Sequence, residues 1–277
     1  MAQAFTAYRP ADIRAELSPA SHSLLRHLSL LDDVDSTSLV LQRLPADEQH
    51  GHVVVADRQS AGRGRHGRSW HSPAGQNIYL SLGWHFQCAA GALAQLPLAA
   101  AVTVTRALRR AGVRSAVIKW PNDIQVDGAK LAGILVELRG PGTDQALAVI
   151  GIGVNVCMPA GGAGQPAIGQ SWTDVCTQLD RPAGPDLRNR LCGILLDELL
   201  QNVVRYNVEG FYPFADDWNK WDALRGKEVR VVSTDETVEG RATGISDRGG
   251  LLVACAAAPG ERQLREFFAG DVSVREA

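Results

Sequence analysis

Short apolar runs at strand period fill most of the first half of the chain. HVVVADRQ (52–59) is an apolar run of buried-strand length, and NIYLSLGWHF (77–86) alternates apolar and polar positions. AVIKWPNDIQV (116–126), KLAGILVEL (130–138) and ALAVIGIGVNV (146–156) predict three more strands, the first two joined through Asp127 and Gly128. An Asp-Gly pair favours a tight hairpin turn, so a mixed, mainly antiparallel sheet is expected. Two segments break this texture. Residues 93–112 have the length and composition of a largely buried helix ending at Gly112, and Leu187, Leu191, Leu195, Leu199 and Val203 recur at helical spacing, as core packing requires. SHSLLRHLSLL (21–31) reads as a short helix within a polar, Ala-rich leader.

Beyond DWNKWDALRGK (217–227) the runs shorten. KEVRVVS (227–233), TVEGRATGIS (237–246), GLLVACA (250–256) and FFAGDVSV (267–274) read as strands of a small β-barrel. The expected organisation is a leader at 1–30, a larger α+β domain at 31–223 and a barrel at 224–277, without internal repeats.

Composition narrows the function. With 277 residues, 45% hydrophobic and 21% charged, the chain reads as an ordinary globular protein, and its net charge of -2 argues against a general nucleic-acid coat. Five cysteines without a CxxC pair suggest neither a disulfide framework nor a zinc ribbon, which fits a reducing cytoplasm. The N-terminus lacks the pattern of a signal peptide, and no apolar run reads as long enough to span a bilayer, so no membrane role is expected.

One stretch departs from the overall charge balance. GRGRHGRSW (62–70) carries three arginines and no acidic residue. Glycine permits positive φ and close backbone approach, while arginine supplies a rigid fork of donors for carboxylate or phosphate. It is neither a Walker loop nor a GxGxxG turn opening a helix. Taken alone, the loop is open to three readings: an anion clamp, a solvated basic loop, or an RGG-like nucleic-acid contact. His66 and His71 flank it without convergent ligands, so no metal site is expected there.

In the order GRGRHGRSW, KWPND (119–123), KLAGILVE (130–137) and GIGVN (151–155), with a C-terminal barrel ending GDVSVR (270–275), the chain resembles the biotin protein ligases. The resemblance runs from about Val34 to the C-terminus. It implies a class II aminoacyl-tRNA synthetase-like catalytic domain followed by an SH3-like barrel. It also implies a two-step reaction, in which biotin and ATP give biotinyl-5′-AMP and biotin then passes to a lysine of a biotin carboxyl carrier domain. Both reactants of the first step are anions, so fixed cations in a water-poor pocket are required.

By this resemblance Lys130 and Arg65 are catalytic, with a snorkelling strand lysine as the alternative for Lys130. Ser36, Thr37, Ser38, Gln59, Arg63, Gly64, Arg65, Lys130 and Gly133 hold biotin, the loop ordering over the intermediate once an anion fills it. For Ser36 a helix N-cap is the competing role. The family commonly has Asn where this chain has Ser38, a departure that bears on the third contact to the ureido head. Arg65, Lys119, Asn122, Asn155 and Trp172 are expected at ATP, with a core position as the alternative for Trp172. Asp123 is expected at Mg²⁺, or else as a structural turn carboxylate. Trp70 and Trp120 read mostly as packing residues.

A lipoate or octanoate ligase is the runner-up, since that family shares the fold. A biotin-sensing repressor is the reading from another class. Residues 1–30 are too few for a helix-turn-helix domain, so DNA binding is not expected. A second copy of the chain and the carrier domain are the expected partners, either pairing through an exposed sheet edge.

Overall fold

In the computed structural model, residues 5–139, 145–158, 169–180, 183–233, 236–256, 262–269 and 273–276 are described. The chain begins with α1 (Pro10–Ala15), α2 (Pro19–Leu24), β1 (His27–Val34), α3 (Thr37–Arg43) and α4 (Ala46–Gln49). β2 (His52–Gln59), β3 (Asn77–Phe86) and α5 (Leu96–Arg110) follow, then β4 (Val117–Lys119), β5 (Asp123–Val126), β6 (Ala129–Arg139) and β7 (Ala146–Asn155). After α6 (Val175–Gln178), α7 (Leu187–Glu209) and α8 (Ala215–Trp221), five strands close the chain. These are β8 (Glu228–Val232), β9 (Thr237–Ile245), β10 (Leu251–Ala256), β11 (Arg262–Phe267) and β12 (Ser273–Glu276).

β1 to β7 form one mixed sheet in the order β1-β2-β3-β7-β6-β5-β4, with β1 parallel to β2 and the other pairs antiparallel. Its two faces differ because side chains alternate along a strand. Val53 and Val55 of β2, Ile78 and Leu80 of β3, and Ile150 and Val154 of β7 join the main core with α5 and α7. α5 is buried on nearly every side, from Leu96 to Leu108, and stops where Gly112 takes φ 116°, after Arg109 and Arg110 have filled its last turn. The opposite face carries α3 over a smaller cluster of Leu41, Val54 and Val149. There the row that would continue the core holds Ser81, Gly151, Gly153 and Gly133 instead. Ser81 pairs with Gly151, and Gly153 pairs with Gly133.

The C-terminal strands form a separate antiparallel sheet in the order β11-β10-β9-β8-β12. It meets the larger domain where Trp120 Nε1 donates to Gly249 O at 3.1 Å, so Trp120 is the packing residue expected of it.

Four expectations need correction. The stretch 21–31 is not one helix: α2 ends at Leu24 and β1 begins at His27, because parallel pairing with β2 captures the alternating residues that follow. Residues 116–126 form two strands rather than one, because Pro121, after a cis bond from Trp120, offers no N–H to a ladder and the chain reverses there. RQLREF (262–267) is too polar to read as a strand yet forms β11; in 267–274 only Phe267 and 273–274 are strand, and 270–272 lie outside the described residues. The stretch Ala90–Arg110 does have the length and apolar composition of a membrane span, but 67% of its most apolar window is buried inside the protein, as in a core helix.

Residues 5–30, expected as part of a leader, pack as part of the fold. Ile13, Leu17 and Leu25 belong to the main core, and Gly193 of α7 lets α1 approach so closely that a Cβ there would stand 2.5 Å from Ile13 O. Asp197 of α7 fastens α2. It accepts from Ser18 N at 2.8 Å and Ser21 Oγ at 2.6 Å, and pairs with Arg110 at 3.1 Å. Burial opposes its ionisation, but the Ser21, Ser18 and Arg110 bonds outweigh burial and lower its pKa from 3.8 to about 2. A depressed pKa means that the fold favours the charged form. The contribution is therefore complete at neutral pH and is lost as pH falls from 3.8 through about 2. Asp197→Asn is expected to cost about 2 kcal/mol at pH 7 and about half that at pH 3. Urea unfolding across that range checks it, and a pH-independent difference would refute the assignment.

Candidate functional site

The face stripped by glycine floors a cavity of about 800 Å³. Trp70 takes the space that side chains at Gly133 and Gly153 would need, since a Cβ at Gly153 would lie 2.5 Å from its ring and one at Gly133 3.0 Å. Lys130 Nζ sits 5.2 Å from the centre of the same ring. Trp70 is therefore a wall of the cavity, a larger part than the packing role its sequence position indicated. Its Nε1 is buried and has no hydrogen-bond partner among the described residues.

At one end of the floor the start of α3 supplies polar groups. Ser36 occupies the N-cap position with extended backbone, yet its side chain makes no capping bond, which leaves the hydroxyl to the cavity. Thr37 N and Thr37 Oγ1 both reach Gln59 Oε1, at 2.9 and 3.2 Å. Ser81 Oγ lies 2.7 Å from Thr37 Oγ1 and 3.1 Å from Ser38 Oγ. Gln59 Nε2 donates to Ser72 Oγ at 3.1 Å, and Ser72 Oγ donates to Trp70 O at 3.0 Å. Ser72 and Ser81 were not singled out from the sequence, because a serine in a strand or loop carries no pattern that distinguishes it.

The Arg-rich loop forms the roof. Gly64 N donates to Arg68 O at 2.7 Å and Trp70 N to Gly62 O at 2.8 Å, and a tight turn over Arg65–Gly67 puts His66 at φ 54° and Gly67 at φ 69°. Arg63 reaches across to Glu137 of β6 at 2.7 Å and ties the loop to the sheet. Arg65 points inward, with Nη1 3.3 Å from Asn122 Oδ1, and burial pushes its guanidinium below its ordinary range. Asn122 in turn donates to Ile134 O at 2.6 Å.

Lys130 lies 2.8 Å from Asp123 Oδ1. Its backbone is clamped, with Lys130 N donating to Ser171 O at 3.0 Å and Thr173 N to Lys130 O at 2.9 Å. Asn155 Nδ2 joins the clamp through Lys130 O at 3.3 Å and Thr173 O at 3.0 Å, which leaves its Oδ1 as an acceptor. Trp172 bridges to Lys130 and also lines the cavity.

Of the expected site residues, Ser36, Thr37, Ser38, Gln59, Arg63, Gly64, Arg65, Asn122, Asp123, Lys130, Gly133, Asn155 and Trp172 line this one cavity. Lys119 does not. It is in register with Asp123, which is in register with Gly133, so it stands in the same row on the edge strand β4. Two strand spacings place it about 10 Å beyond the glycine floor.

Among the described residues the wall carries Arg63, Arg65, Arg68 and Lys130 against the single carboxylate of Asp123. Among the described residues no three His, Cys, Asp or Glu side chains come together. Magnesium takes six oxygens in near-ideal octahedral geometry. One carboxylate already held by a lysine does not build such a site, so these residues do not fit a resident ion.

Comparison with known proteins agrees with this geometry. Residues 31–155 match the biotin/lipoate A/B protein ligase family, and residues 225–275 match the biotin protein ligase C terminal domain. The bifunctional ligase/repressor BirA of Escherichia coli (strain K12) is 33% identical over 251 residues, covering 90% of this chain and 74% of that protein. Biotin--[acetyl-CoA-carboxylase] ligase of Paracoccus denitrificans is 32% identical over 252 residues, covering 87% of this chain and 100% of that protein. The biotin protein ligase from Aquifex aeolicus, solved in complex with biotin and ATP, is similar in structure with a TM-score of 0.74 at 27% identity, covering 91% of this chain and 100% of that one. With matches spanning both of its sheets and relatives covered over most of their length, the chain belongs to the biotin protein ligase family.

Proposed function

We propose that this protein activates biotin with ATP to biotinyl-5′-AMP and transfers the biotinyl group to a lysine of a biotin carboxyl carrier domain. One observation carries the reading: a single cavity places hydroxyl and amide groups at one end, an apolar tryptophan wall over the glycine floor, and a partly exposed cation cluster in sequence. That order suits a bicyclic urea with an apolar ring and a carboxylate tail. In the first step a carboxylate oxygen attacks the α-phosphorus, and the bond to the bridging oxygen breaks to release pyrophosphate. In the second, a lysine amine attacks the acyl carbon, AMP leaves, and the amine gives up a proton.

Lys130 and Arg65 hold the two anions together. At an effective dielectric near 20, a unit charge pair at about 4 Å is worth about 4 kcal/mol, the scale needed to offset their repulsion. Asp123 pairs with Lys130 at 2.8 Å, so substrate anions compete with that carboxylate for the ammonium. Asn155 Oδ1 suits the exocyclic N–H of adenine, Trp172 its face, and Lys119 the far end of the triphosphate. Mg²⁺ enters this reading as the counter-ion of ATP, bringing phosphate and water ligands with it. The cytoplasm, a second copy of the chain through a free sheet edge, and a separate C-terminal unit from residue 224 belong to the same proposal.

ATP–pyrophosphate exchange by the purified chain, with biotin, lipoate or octanoate, tests the reading. Exchange with biotin alone supports it. Exchange with lipoate or octanoate instead moves the protein to the sister activity. Arg65→Gly is expected to slow adenylate formation less than loss of Lys130 does, while releasing biotinyl-AMP about 10- to 100-fold faster, as loss of a charge-assisted hydrogen bond implies. Bystander lysines would then carry biotin in a mass-spectrometric survey, and unchanged acceptor selectivity would remove Arg65 from retention of the intermediate.

A further inference from the structure

The geometry points to Ser81 as a positioning residue that, between Thr37 and Ser38, commits the Ser38 proton inward and makes Ser38 an acceptor for a ring N–H of the ligand. The inference rests on the biotin reading above. It follows from donor and acceptor bookkeeping alone. Thr37 N can only donate, and it lies 2.9 Å from Gln59, so the Gln59 atom there is the carbonyl Oε1. Thr37 Oγ1, 3.2 Å from the same oxygen, must spend its proton on it. Ser81, 2.7 Å away, must then donate to Thr37. Having one proton, Ser81 accepts from Ser38 at 3.1 Å.

The chain of donation therefore runs from Ser38 to Ser81 to Thr37 to Gln59. It continues outward from Gln59 Nε2 to Ser72 and Trp70 O. Ser81 is fully buried, so no bulk water replaces it in the chain. Ser38 stays close to the strand because Gly151 has no side chain, and a Cβ there would stand 2.9 Å from Ser38 Oγ. With its proton committed inward, Ser38 Oγ offers only lone pairs to the cavity. A cyclic urea supplies the N–H this acceptor needs. A dithiolane or an alkyl chain does not, and would leave a buried acceptor unpaired.

The test is calorimetric titration of the full chain with biotin, with ATP, and with both cyclic carbamates in which one ureido N–H is replaced by oxygen. The wild type is expected to bind one of the two carbamates at least about a hundredfold more weakly than biotin, because two acceptors then face each other. In Ser81→Ala, Ser38 is released to turn its proton into the cavity. Biotin should then weaken about tenfold while the carbamate penalty shrinks to a few-fold and ATP binding holds. Ser38→Ala should remove the same penalty by deleting the acceptor, and adding Ser81→Ala should cost little more. A carbamate penalty that survives in Ser81→Ala overturns the inference, as does an equal loss of biotin, carbamate and ATP affinity. No biotin binding by the wild type would instead overturn the functional reading.

Discussion

Lys130→Ala is expected to lower biotin-dependent ATP–pyrophosphate exchange about a thousandfold or more, with little change in melting temperature. The expectation rests on where the ammonium is held. Its strand is clamped on one side by Ser171 and Thr173 and braced by Asn155, so the side chain starts from a fixed backbone. The charge lies over Trp70 in a wall where Asp123 is the competing carboxylate. Fixed donors of this kind, aimed at charge that develops during reaction, account for about 10²- to 10³-fold each. The loss here should be at the upper end, because deleting Lys130 also leaves Asp123 facing two anions. Stability should change little, since the pair is partly exposed, at 16% and 22% of the side chains. Exchange within tenfold of wild type would take Lys130 out of the mechanism, whereas a large fall in melting temperature would make it a structural lysine.

Gly153→Ala should raise the KM for biotin about a hundredfold while kcat falls less. The added methyl would stand 2.5 Å from Trp70 Cε2 and 2.6 Å from its Nε1, so the indole must move by an ångström or more. Misplacement on that scale costs about a hundredfold in a positioned site. Trp70 cannot move alone, because its backbone N–H holds Gly62 and its carbonyl holds Ser72, which in turn accepts from Gln59. A disturbance at the sheet thus reaches both the loop and the ureido end of the floor. Kinetics with saturating ATP checks the prediction. A silent substitution would show that the cavity floor lies elsewhere, and a loss confined to kcat would show that Trp70 guards the chemistry rather than the ligand.

How much of this was legible depends on the kind of signal. Elements with strong local patterns, such as the buried α5 with its Gly112 stop, the stripe of α7 and the Asp127-Gly128 hairpin, emerged close to where the sequence placed them. Motifs that concentrate unusual residues were legible too: the arginines of the loop, Lys130, Asn122 and Asp123 all face the cavity. Elements stabilised by a distant partner were not. β1 is a strand because β2 lies beside it, and polar β11 because β10 does.

By itself the sequence determined the class of fold, the chemical nature of the loop and the residue types available to hold an anion, because these depend on local periodicity and side-chain chemistry. Only the tertiary structure decided which of those residues meet. It set Lys119 one strand outside the cavity, brought Trp70 onto Gly133 and Gly153, and buried Ser81 beneath Thr37 and Ser38. The physical reason is register. Ser81, Gly151, Gly153 and Gly133 come from three strands, and only the pairing of β3, β7 and β6 places them in adjoining rows on one face.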